Sequence, residues 1–328
     1  MGGIPHLPPQ PGRVKIILVT PAPARIHTGN RTTADRWARV LSELGNPVRI
    51  LPDWSGEECD LLIALHARRS FPAIQRFRKQ HPDAPLVVAL TGTDLYGDLD
   101  SAEAGTSLEL ASRIVVLQEL GTQAVPESVR GKVRVIYQSA ELTIPPARPS
   151  ESCFQVCVLA HLRAVKDPLR LAYAVRELPP SSRIQVKHAG AMLDPEFAPQ
   201  LETELARNPR YQWLGPLGHE DAMDLLAHSH MLVLTSRLEG GANVISEAIA
   251  LAVPVISSLI PGSVGVLGPD YPGYFPVGDS SALRAQLQKA ESDNGFYRRL
   301  QSWVAGLRPK VSCAREREGW QSLLTELR

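Results

Sequence analysis

Short apolar runs alternate with stretches of helical periodicity along most of the chain. The run VKIILVT (14–20) is continuously apolar and rich in β-branched residues, which is typical of a strand buried on both faces of a parallel sheet. The next stretch, 32–45, repeats its apolar residues at helical spacing and ends at Gly45, so it predicts a helix. Strands and helices that alternate in this way indicate a parallel sheet with helices on both faces.

The alternation occurs in two halves. In the first half, further strands are predicted at 47–51, 60–65, 85–90, 113–118 and 133–138, with helices at 70–80 and 103–111. The proline-rich segment 143–152 interrupts the pattern and predicts a linker. The pattern then restarts, with strands predicted at 154–162, 183–190, 211–215, 230–236 and 254–258. Two doubly wound α/β halves fit the length of 328 residues.

These patterns divide the chain into four predicted segments. Residues 1–12 contain four prolines and no apolar core of a signal peptide, so we expect a flexible tail. Residues 13–148 and 149–305 are predicted as two Rossmann-like domains. Residues 306–328 are predicted as a C-terminal helical segment, which begins near the helix break at Pro309.

Composition and charge narrow the classes of function. The net charge of +1 gives no basis for binding nucleic acid or an acidic membrane surface. No apolar run reaches the roughly 20 residues that a membrane span needs. Among the four cysteines only Cys153 and Cys157 are close in sequence, and a single pair of this kind is a poor pattern for a zinc site. We therefore expect reduced thiols. We therefore expect a cytoplasmic protein without a metal site.

The segment SRLEGGANVISEAIA (236–250) follows a predicted strand and opens a helix. Its glycines, Gly240 and Gly241, allow the backbone to approach a ligand closely. Asn243 is the predicted N-cap, and Glu247 lies about one turn into a helix that is apolar nearly all round. A buried carboxylate needs a partner. Glu247 is therefore either a helix-capping side chain bonded to nearby backbone or an acceptor for ligand hydroxyl groups.

A second polar segment, HLRAVKDP (161–168), follows the strand that opens the second half. Asp167 is the predicted N-cap of the next helix, and Pro168 suits its first position. Lys166 would then stand just before a helix N-terminus, which is a place suited to phosphate. The alternative is an ordinary solvated lysine.

Polar residues also follow three predicted strands of the first half. They are Gly29, Asn30, Arg31 and Thr32, then His66, Arg68 and Arg69, and then Thr91 and Thr93. Because parallel strands bring their carboxyl ends to one edge of a sheet, these loops should open on one cleft. Cations together with backbone amides suit a small, highly charged anion. Surface charges and a structural histidine are the alternative interpretation.

The pattern E-G-G-x5-E and its flanking strands resemble glycosyltransferase family 4, which has the GT-B fold, and the resemblance covers nearly all of the chain from Val14. It implies that Glu239 faces the donor sugar and that Glu247 binds the ribose hydroxyls of a nucleotide. It also implies that Gly240, Gly241, Ala242 and Asn243 lie beside the sugar and diphosphate.

The same family has an arginine and a lysine that hold the donor diphosphate and stabilise the leaving group. Lys166 matches the lysine, while His161 occupies the usual arginine position and Arg163 lies two residues further on. Either Arg163 or His161 takes the arginine role. The segments 215–221, which include Gly215 and Leu217, and 260–265 resemble family loops beside the base and the sugar.

Five segments together resemble the selenosugar synthase branch of that family, which is associated with selenoneine biosynthesis: TGNRTTADRWARVL, LIALHARRS, LTGTDLY, RVIYQSAE and HLRAVKDP. This resemblance implies a UDP-sugar donor, UDP-N-acetylglucosamine, and selenophosphate as the acceptor, with no cofactor and no metal. The first domain would bind selenophosphate and the second the nucleotide-sugar. By analogy with the fold, helix 306–328 is expected to pack back on the first domain, with Trp303 and Trp320 at that contact.

The resemblance also implies functional partners, namely an enzyme that supplies selenophosphate and the next enzyme of the pathway. Two alternatives stay open. One is a family 4 enzyme that transfers sugar to an ordinary hydroxyl acceptor, and the other is a non-catalytic sensor that binds a nucleotide-sugar. A nicotinamide oxidoreductase is not indicated, because no G-x-G-x-x-G follows a predicted strand.

Overall fold

The structure of the protein, a computed structural model, describes residues 13–21, 29–142, 144–145, 147 and 149–328. The predicted tail, 1–12, lies outside the described residues. Within them the chain forms two parallel sheets flanked by helices, which confirms the predicted α/β class with two Rossmann-like halves. None of the helices in the described ranges is both long and apolar enough to cross a lipid bilayer.

The first half contains the strands β1 (Ile16–Val19), β2 (Val48–Leu51), β3 (Leu61–Leu65), β4 (Leu86–Leu90), β5 (Arg113–Val116) and β6 (Val133–Val135). Its helices are α1 (Gly29–Glu43), α2 (Phe71–Gln80), α3 (Ala102–Leu110) and α4 (Leu120–Ala124). Within the described residues the strands lie in the order β2-β1-β3-β4-β5-β6. The central strands β1, β3 and β4 are buried throughout, because apolar clusters cover both faces of the sheet.

The second half contains the strands β7 (Phe154–Leu159), β8 (Ile184–Ala189), β9 (Tyr211–Gly215), β10 (Met231–Leu234), β11 (Val255–Ser258) and β12 (Tyr274–Phe275). Its helices are α5 (Arg170–Arg176), α6 (Ala198–Arg207), α7 (His219–Ala227), α8 (Asn243–Leu251), α9 (Pro261–Leu267), α10 (Ser280–Ser292), α11 (Asn294–Gly306) and α12 (Cys313–Glu326). The described strands lie in the order β12-β11-β10-β7-β8-β9.

The last helix, α12, packs on the first sheet. The chain breaks at a short 3-10 turn that contains Pro309, so α11 and α12 are separate helices. The Trp320 ring meets Trp37 of α1 edge-on, with ring centroids 4.8 Å apart, and both side chains are fully buried. Trp303 differs from the expectation: it lies in α11, packs beside Tyr271 and donates to the Leu267 carbonyl at 2.8 Å, so it belongs to the core of the second half.

The family resemblance predicts a loop at residues 260–265. These residues instead provide the N-cap, Ile260, and the first five residues of α9. Pro261 is the first helical residue, where its missing N–H costs nothing and its fixed φ suits the helix. The sequence did not indicate this helix, because it contains Gly262 and Gly265 and glycine is a poor helix former.

A buried hydrogen-bond chain joins β7, β8 and β9. His188 Nε2 lies 2.8 Å from the Ala160 carbonyl oxygen, and His188 Nδ1 lies 2.6 Å from the Tyr211 hydroxyl. A carbonyl only accepts, so Nε2 carries the proton and Nδ1 accepts from Tyr211. Burial lowers the pKa of His188 to about 4, against the opposing hydrogen bond to Ala160. The imidazole is therefore neutral in the folded protein at pH 7.

This neutral histidine predicts a loss of stability on acidification. Below its ordinary pKa of 6.5 the unfolded chain binds a proton that the native His188 does not, so the free energy of unfolding falls as the pH drops. Between pH 7 and pH 5 this single group should remove about 2 kcal/mol. Denaturant unfolding measures the free energy of unfolding at both pH values. Between pH 7 and pH 5 this free energy should fall by about 2 kcal/mol less in His188→Gln than in the wild type.

The matched control is His228→Gln, which changes an exposed histidine at the end of α7. It should keep the wild-type pH dependence. If His188→Gln lost as much stability between pH 7 and pH 5 as the wild type does, His188 would not be the neutral group inferred here.

Candidate functional site

A cavity of about 880 Å³ lies where the carboxyl ends of the two sheets face each other. One wall comes from loops after β3, β4 and β6 and from α1, and the other from loops after β7, β8, β9 and β10. The strand order reverses at β1 in the first sheet and at β7 in the second. Residues that directly follow both strands line this cavity. Ligands of open α/β sheets bind at such switch points.

Lys166 and Glu239 form an ion pair in the cavity wall. Lys166 Nζ lies 2.5 Å from Glu239 Oε1, and the Ser236 hydroxyl donates to the same oxygen at 2.6 Å. Both side chains remain partly exposed, Lys166 at 26% and Glu239 at 11%. The ammonium group can hold phosphate oxygens, and the carboxylate can accept hydrogen bonds from sugar hydroxyls.

The turn that carries Lys166 is tied to the loop after β10. The Arg237 amide donates to the Val165 carbonyl at 2.8 Å, and the Thr235 hydroxyl donates to the Lys166 carbonyl at 2.8 Å. These bonds connect two segments that are about 70 positions apart in sequence. They hold Lys166 next to the loop that carries Glu239.

The prediction of Asp167 as a helix cap and of Pro168 as the first helical residue is wrong. Asp167 adopts a left-handed conformation with φ of 45°, and α5 begins at Arg170. The Asp167 carboxylate pairs with Arg170 Nε at 3.0 Å instead of capping the helix. Lys166 therefore ends a 3-10 turn, and no helix N-terminus follows it directly.

His161 and Arg163 both line the cavity. The Ala191 amide donates to His161 Nδ1 at 3.1 Å, so in the neutral ring Nε2 carries the proton. A hydrogen-bond donor and a guanidinium group thus lie on the same side of the cavity as Lys166. The choice between His161 and Arg163 for the arginine role stays open.

Glu247 is half-buried in the cavity wall, one turn into α8. No hydrogen bond within the described ranges uses its carboxylate. Burial raises the pKa of Glu247, while the nearby charges of His219 and Arg36 act in the opposite direction. The capping interpretation needs a bond to nearby backbone, whereas the observed carboxylate has its acceptor capacity available to a ligand.

Asn243 is the first residue of α8 rather than its N-cap, which is Ala242. Its side chain is used elsewhere. Arg36 Nη1 of α1 donates to Asn243 Oδ1 at 2.9 Å, and Asn243 Nδ2 donates to the Gly29 carbonyl at 3.4 Å. Asn243 therefore joins the start of α8 to the start of α1 across the cavity.

The two glycines before α8 make close contacts with the first half. A Cβ atom on Gly240 would lie 3.1 Å from the Gly92 carbonyl oxygen, and one on Gly241 would lie 2.8 Å from Leu117 Cβ. The buried Gln118 side chain donates to the Gly240 carbonyl at 3.2 Å. These positions therefore favour glycine because the two halves meet there, in addition to any approach to a ligand.

Most residues predicted for the nucleotide-sugar line the cavity. They are His161, Arg163, Lys166, Leu217, Glu239, Gly241, Ala242, Asn243 and Glu247. Gly215 and Gly240 are not among the described lining residues. Gly215 has a φ of 71°, so it turns the chain at the end of β9, and Leu217 after it reaches the cavity.

Most residues predicted for the acceptor also line the cavity. They are Gly29, Asn30, Thr32, His66, Arg69, Thr91 and Thr93. The Thr91 hydroxyl donates to Asn30 Oδ1 at 3.0 Å, which joins the loop after β4 to the start of α1. The acceptor side therefore forms one continuous wall.

Arg31 and Arg68 differ from the prediction, because the described lining includes neither of them. Arg31 lies inside α1 and pairs with Asp35 at 2.9 Å. Asp35, one turn further along the helix, lines the cavity itself. Arg68 Nε lies 3.3 Å from Asp98 Oδ2 instead.

His66 is buried in the acceptor wall with a positive φ of 72°, which is uncommon for a residue other than glycine. Its Nε2 lies 3.6 Å from Asp98 Oδ2 and has no partner at hydrogen-bond distance within the described residues. The fully buried Asp94 accepts bonds from the Gly92 and Ala67 amides and lies 3.9 Å from His66 Nδ1. Burial lowers the pKa of His66 and raises that of Asp94.

Sequence reasoning missed Arg36 and Arg39, which both line the cavity. Thr32, Arg36 and Arg39 recur at helical spacing and therefore share one face of α1. That spacing is the signal that could have found them. All three positions lie in the predicted helix 32–45, whose apolar positions alone carried the helix prediction.

Comparison with known proteins agrees with this geometry. Residues 141–303 match the family model described as glycosyl transferases group 1. Among curated proteins, the chain is 27% identical over 276 residues to glycosyltransferase 1 domain-containing protein 1 of Xenopus tropicalis. The match covers 74% of this chain and 78% of that protein.

Solved structures share the fold. Anabaena HepE, crystallised with UDP and glucose, superposes with a TM-score of 0.75 at 15% identity, over 95% of this chain and all of that one. Sucrose-phosphate synthase from Thermosynechococcus elongatus superposes with a TM-score of 0.76 at 16% identity, over 96% of this chain and 99% of that one. The protein therefore has the GT-B fold. It is a glycosyltransferase, and residues 141–303 form its group 1 domain.

The position of Glu239 depends on the glycine that packs against it. A Cβ atom on Gly262 of α9 would overlap the Glu239 carbonyl oxygen, so Gly262→Ala must displace the Glu239 backbone. We expect turnover in glycosyl transfer to fall about a hundredfold, because a shift of about 1 Å at a reacting group has that effect. Initial rates and the melting temperature should be measured together.

The matched control is Gly306→Ala at the exposed end of α11, where a Cβ atom meets nothing within 4 Å. It should keep wild-type turnover. A folded Gly262→Ala protein with wild-type turnover would contradict the proposed dependence of the site on this contact.

Proposed function

We propose that the protein is a selenosugar synthase, which transfers a sugar from a UDP-sugar to the selenium of selenophosphate. UDP-N-acetylglucosamine is the proposed donor, and the products are a 1-seleno-sugar, UDP and phosphate. The observation that carries the proposal is a cavity with two unlike walls. The wall of the group 1 domain carries two glutamates with Arg163 and Lys166, whereas the opposite wall carries three arginines, threonine hydroxyls and a buried imidazole, together with the carboxylate of Asp35.

On the donor side, Glu247 binds the ribose hydroxyls and Glu239 the sugar. Lys166 and Arg163 hold the diphosphate, and His161 donates through Nε2 on the same side. The available carboxylate of Glu247 and the Lys166–Glu239 pair support these roles. Positive charge beside the diphosphate stabilises it as a leaving group, so the proposal needs no metal and no cofactor.

On the acceptor side, Arg69 binds a selenophosphate oxygen together with the hydroxyl of Thr93 and the start of α1, while the Thr91 hydroxyl holds Asn30 in this wall. His66, neutral at pH 7, donates through Nε2. This assignment replaces Arg31 and Arg68 with Arg69, because only Arg69 of the three lines the cavity. A hydroxyl acceptor would have less use for this set of donors.

The chemistry balances without an added oxidant or reductant. A lone pair of selenium attacks the anomeric carbon, and the bond from that carbon to the diphosphate oxygen breaks with its electron pair on UDP. Water then cleaves the selenium–phosphorus bond and leaves phosphate. Selenium in selenophosphate is already anionic and soft, so a strong general base is not needed.

The proposal keeps the wider expectations from the sequence. Residues 13–148 act as the acceptor domain and 149–305 as the donor domain, with 306–328 as a helix that stabilises the first. The reaction takes place in the cytoplasm. An enzyme that makes selenophosphate precedes it, and the next enzyme of selenoneine biosynthesis uses its product.

The defining prediction is that UDP release depends on selenophosphate. Purified protein should release UDP from UDP-N-acetylglucosamine when selenophosphate is present, and mass analysis should find a seleno-sugar. Orthophosphate has the same shape and charge type but no selenium, so it serves as the control and should support no release. A panel of other UDP-sugars measures donor preference.

Each other result points to a different function. UDP release that needs a hydroxyl acceptor and ignores selenophosphate indicates an ordinary family 4 enzyme. Tight UDP-sugar binding without release under any acceptor indicates a sensor.

Arg69 and Arg68 provide a matched pair of neighbours for the acceptor side. Arg69→Gln should raise the KM for selenophosphate by about 10- to 100-fold, because a charged hydrogen bond to the anion is lost. Arg68→Gln should raise it by less than about fivefold, since it removes an exposed ion pair with Asp98. Steady-state kinetics at saturating UDP-sugar measure both values. Equal effects at the two positions would contradict the assignment of Arg69.

A further inference from the structure

We propose that Arg36 of α1 is a further ligand-binding residue of the nucleotide-sugar site, and that Glu316 of α12 is its positioning residue. The inference rests on the proposed UDP-sugar donor. It means that the first half of the chain supplies a direct contact to the nucleotide, and that the C-terminal helix keeps this contact in place.

Glu316 holds Arg36 through a fully buried carboxylate. Arg36 Nε lies 3.1 and 3.2 Å from its two oxygens. The Trp37 indole donates to Oε1 at 2.9 Å, and the Ser139 hydroxyl donates to Oε2 at 2.5 Å. A buried carboxylate needs donors of this kind, and with them it is a rigid anchor. The guanidinium group of Arg36 therefore has little freedom to move.

The Arg36 guanidinium has hydrogen-bonding capacity left over. Its side chain is only 9% exposed, and the residue lines the cavity. Nη1 donates to Asn243, but Nη2 has no acceptor within the described residues. Leaving a buried charged donor without an acceptor is costly. An oxygen atom of a bound ligand would satisfy it.

The neighbours of Arg36 indicate which oxygen this is. Asn243 and Glu247 are on α8, one turn apart, and both line the cavity. Arg36 is close enough to Glu247 for its charge to lower the pKa of that carboxylate. A ribose hydroxyl can donate to a carboxylate and accept from a guanidinium at the same time, which no phosphate oxygen can do. We therefore assign Arg36 to the nucleoside part of the donor.

The alternative is that Arg36 has a purely structural role and only connects α1 to α8 and α12. The two roles separate when the charge pair is removed as a unit. Arg36→Gln alone leaves the buried Glu316 carboxylate short of donors and should destabilise the protein. Arg36→Gln combined with Glu316→Gln leaves two neutral amides, so it should recover much of the stability but not the contact to the ligand.

The test measures the Kd of UDP by calorimetry and the melting temperature for the wild type, Arg36→Gln, the double variant and Arg317→Gln. Arg317 is on the exposed side of α12, paired with Glu43, so its variant controls for changes to that helix. We expect Arg36→Gln and the double variant each to weaken UDP binding about tenfold or more. The double variant should melt above Arg36→Gln, and Arg317→Gln should bind UDP as the wild type does.

Two results would overturn this inference and leave the proposed UDP-sugar donor intact. They are a double variant that binds UDP with wild-type affinity, and an Arg36→Gln protein whose affinity is unchanged. Failure of the wild type to bind UDP is a different outcome, because it removes the proposed donor and this inference with it.

Discussion

Parallel strand pairing is the constraint on which the rest of this structure depends. Every pairing between named strands in the described ranges is parallel, in both sheets. Each sheet must therefore present the loops that follow its strands at one edge. The two edges face each other, and the cavity between them collects residues from segments far apart in the chain. A single antiparallel central strand would have sent its loop to the opposite side.

Direct contacts between the two halves shape that cavity. Gln118 bonds the backbone of Gly240, and Asn243 bonds Arg36 and the Gly29 carbonyl. The glycines permit this approach because side chains there would collide with the first half. The donor and acceptor walls are thus parts of one packed arrangement. A change in how the halves meet would alter the geometry on both sides at once.

Much of the fold and part of the site could be predicted from sequence. Apolar periodicity found most of the strands and the longer helices, because burial on both faces leaves continuous runs in strands and spaced residues in helices. Glu247 stood out because charge is rare in an apolar helical segment, and Glu239 stood out because it directly precedes two glycines. Helix starts were less predictable: α1 begins at Gly29, three residues before the expected place, and α5 begins at Arg170, two residues after it. The second shift explains the wrong interpretation of Asp167 as a helix cap.

The sequence by itself determined the α/β class, the two halves and the residues able to do chemistry, since these depend on local periodicity and residue type. Only the tertiary structure decided which of those residues meet. The Lys166–Glu239 pair joins positions 73 apart, and the Arg36–Glu316 pair joins positions 280 apart. It also decided which cations face the cavity, because Arg69 and Arg68 are neighbours in sequence whose directions depend on packing. Residue type can indicate a charge, but only the packed chain gives that charge its partner.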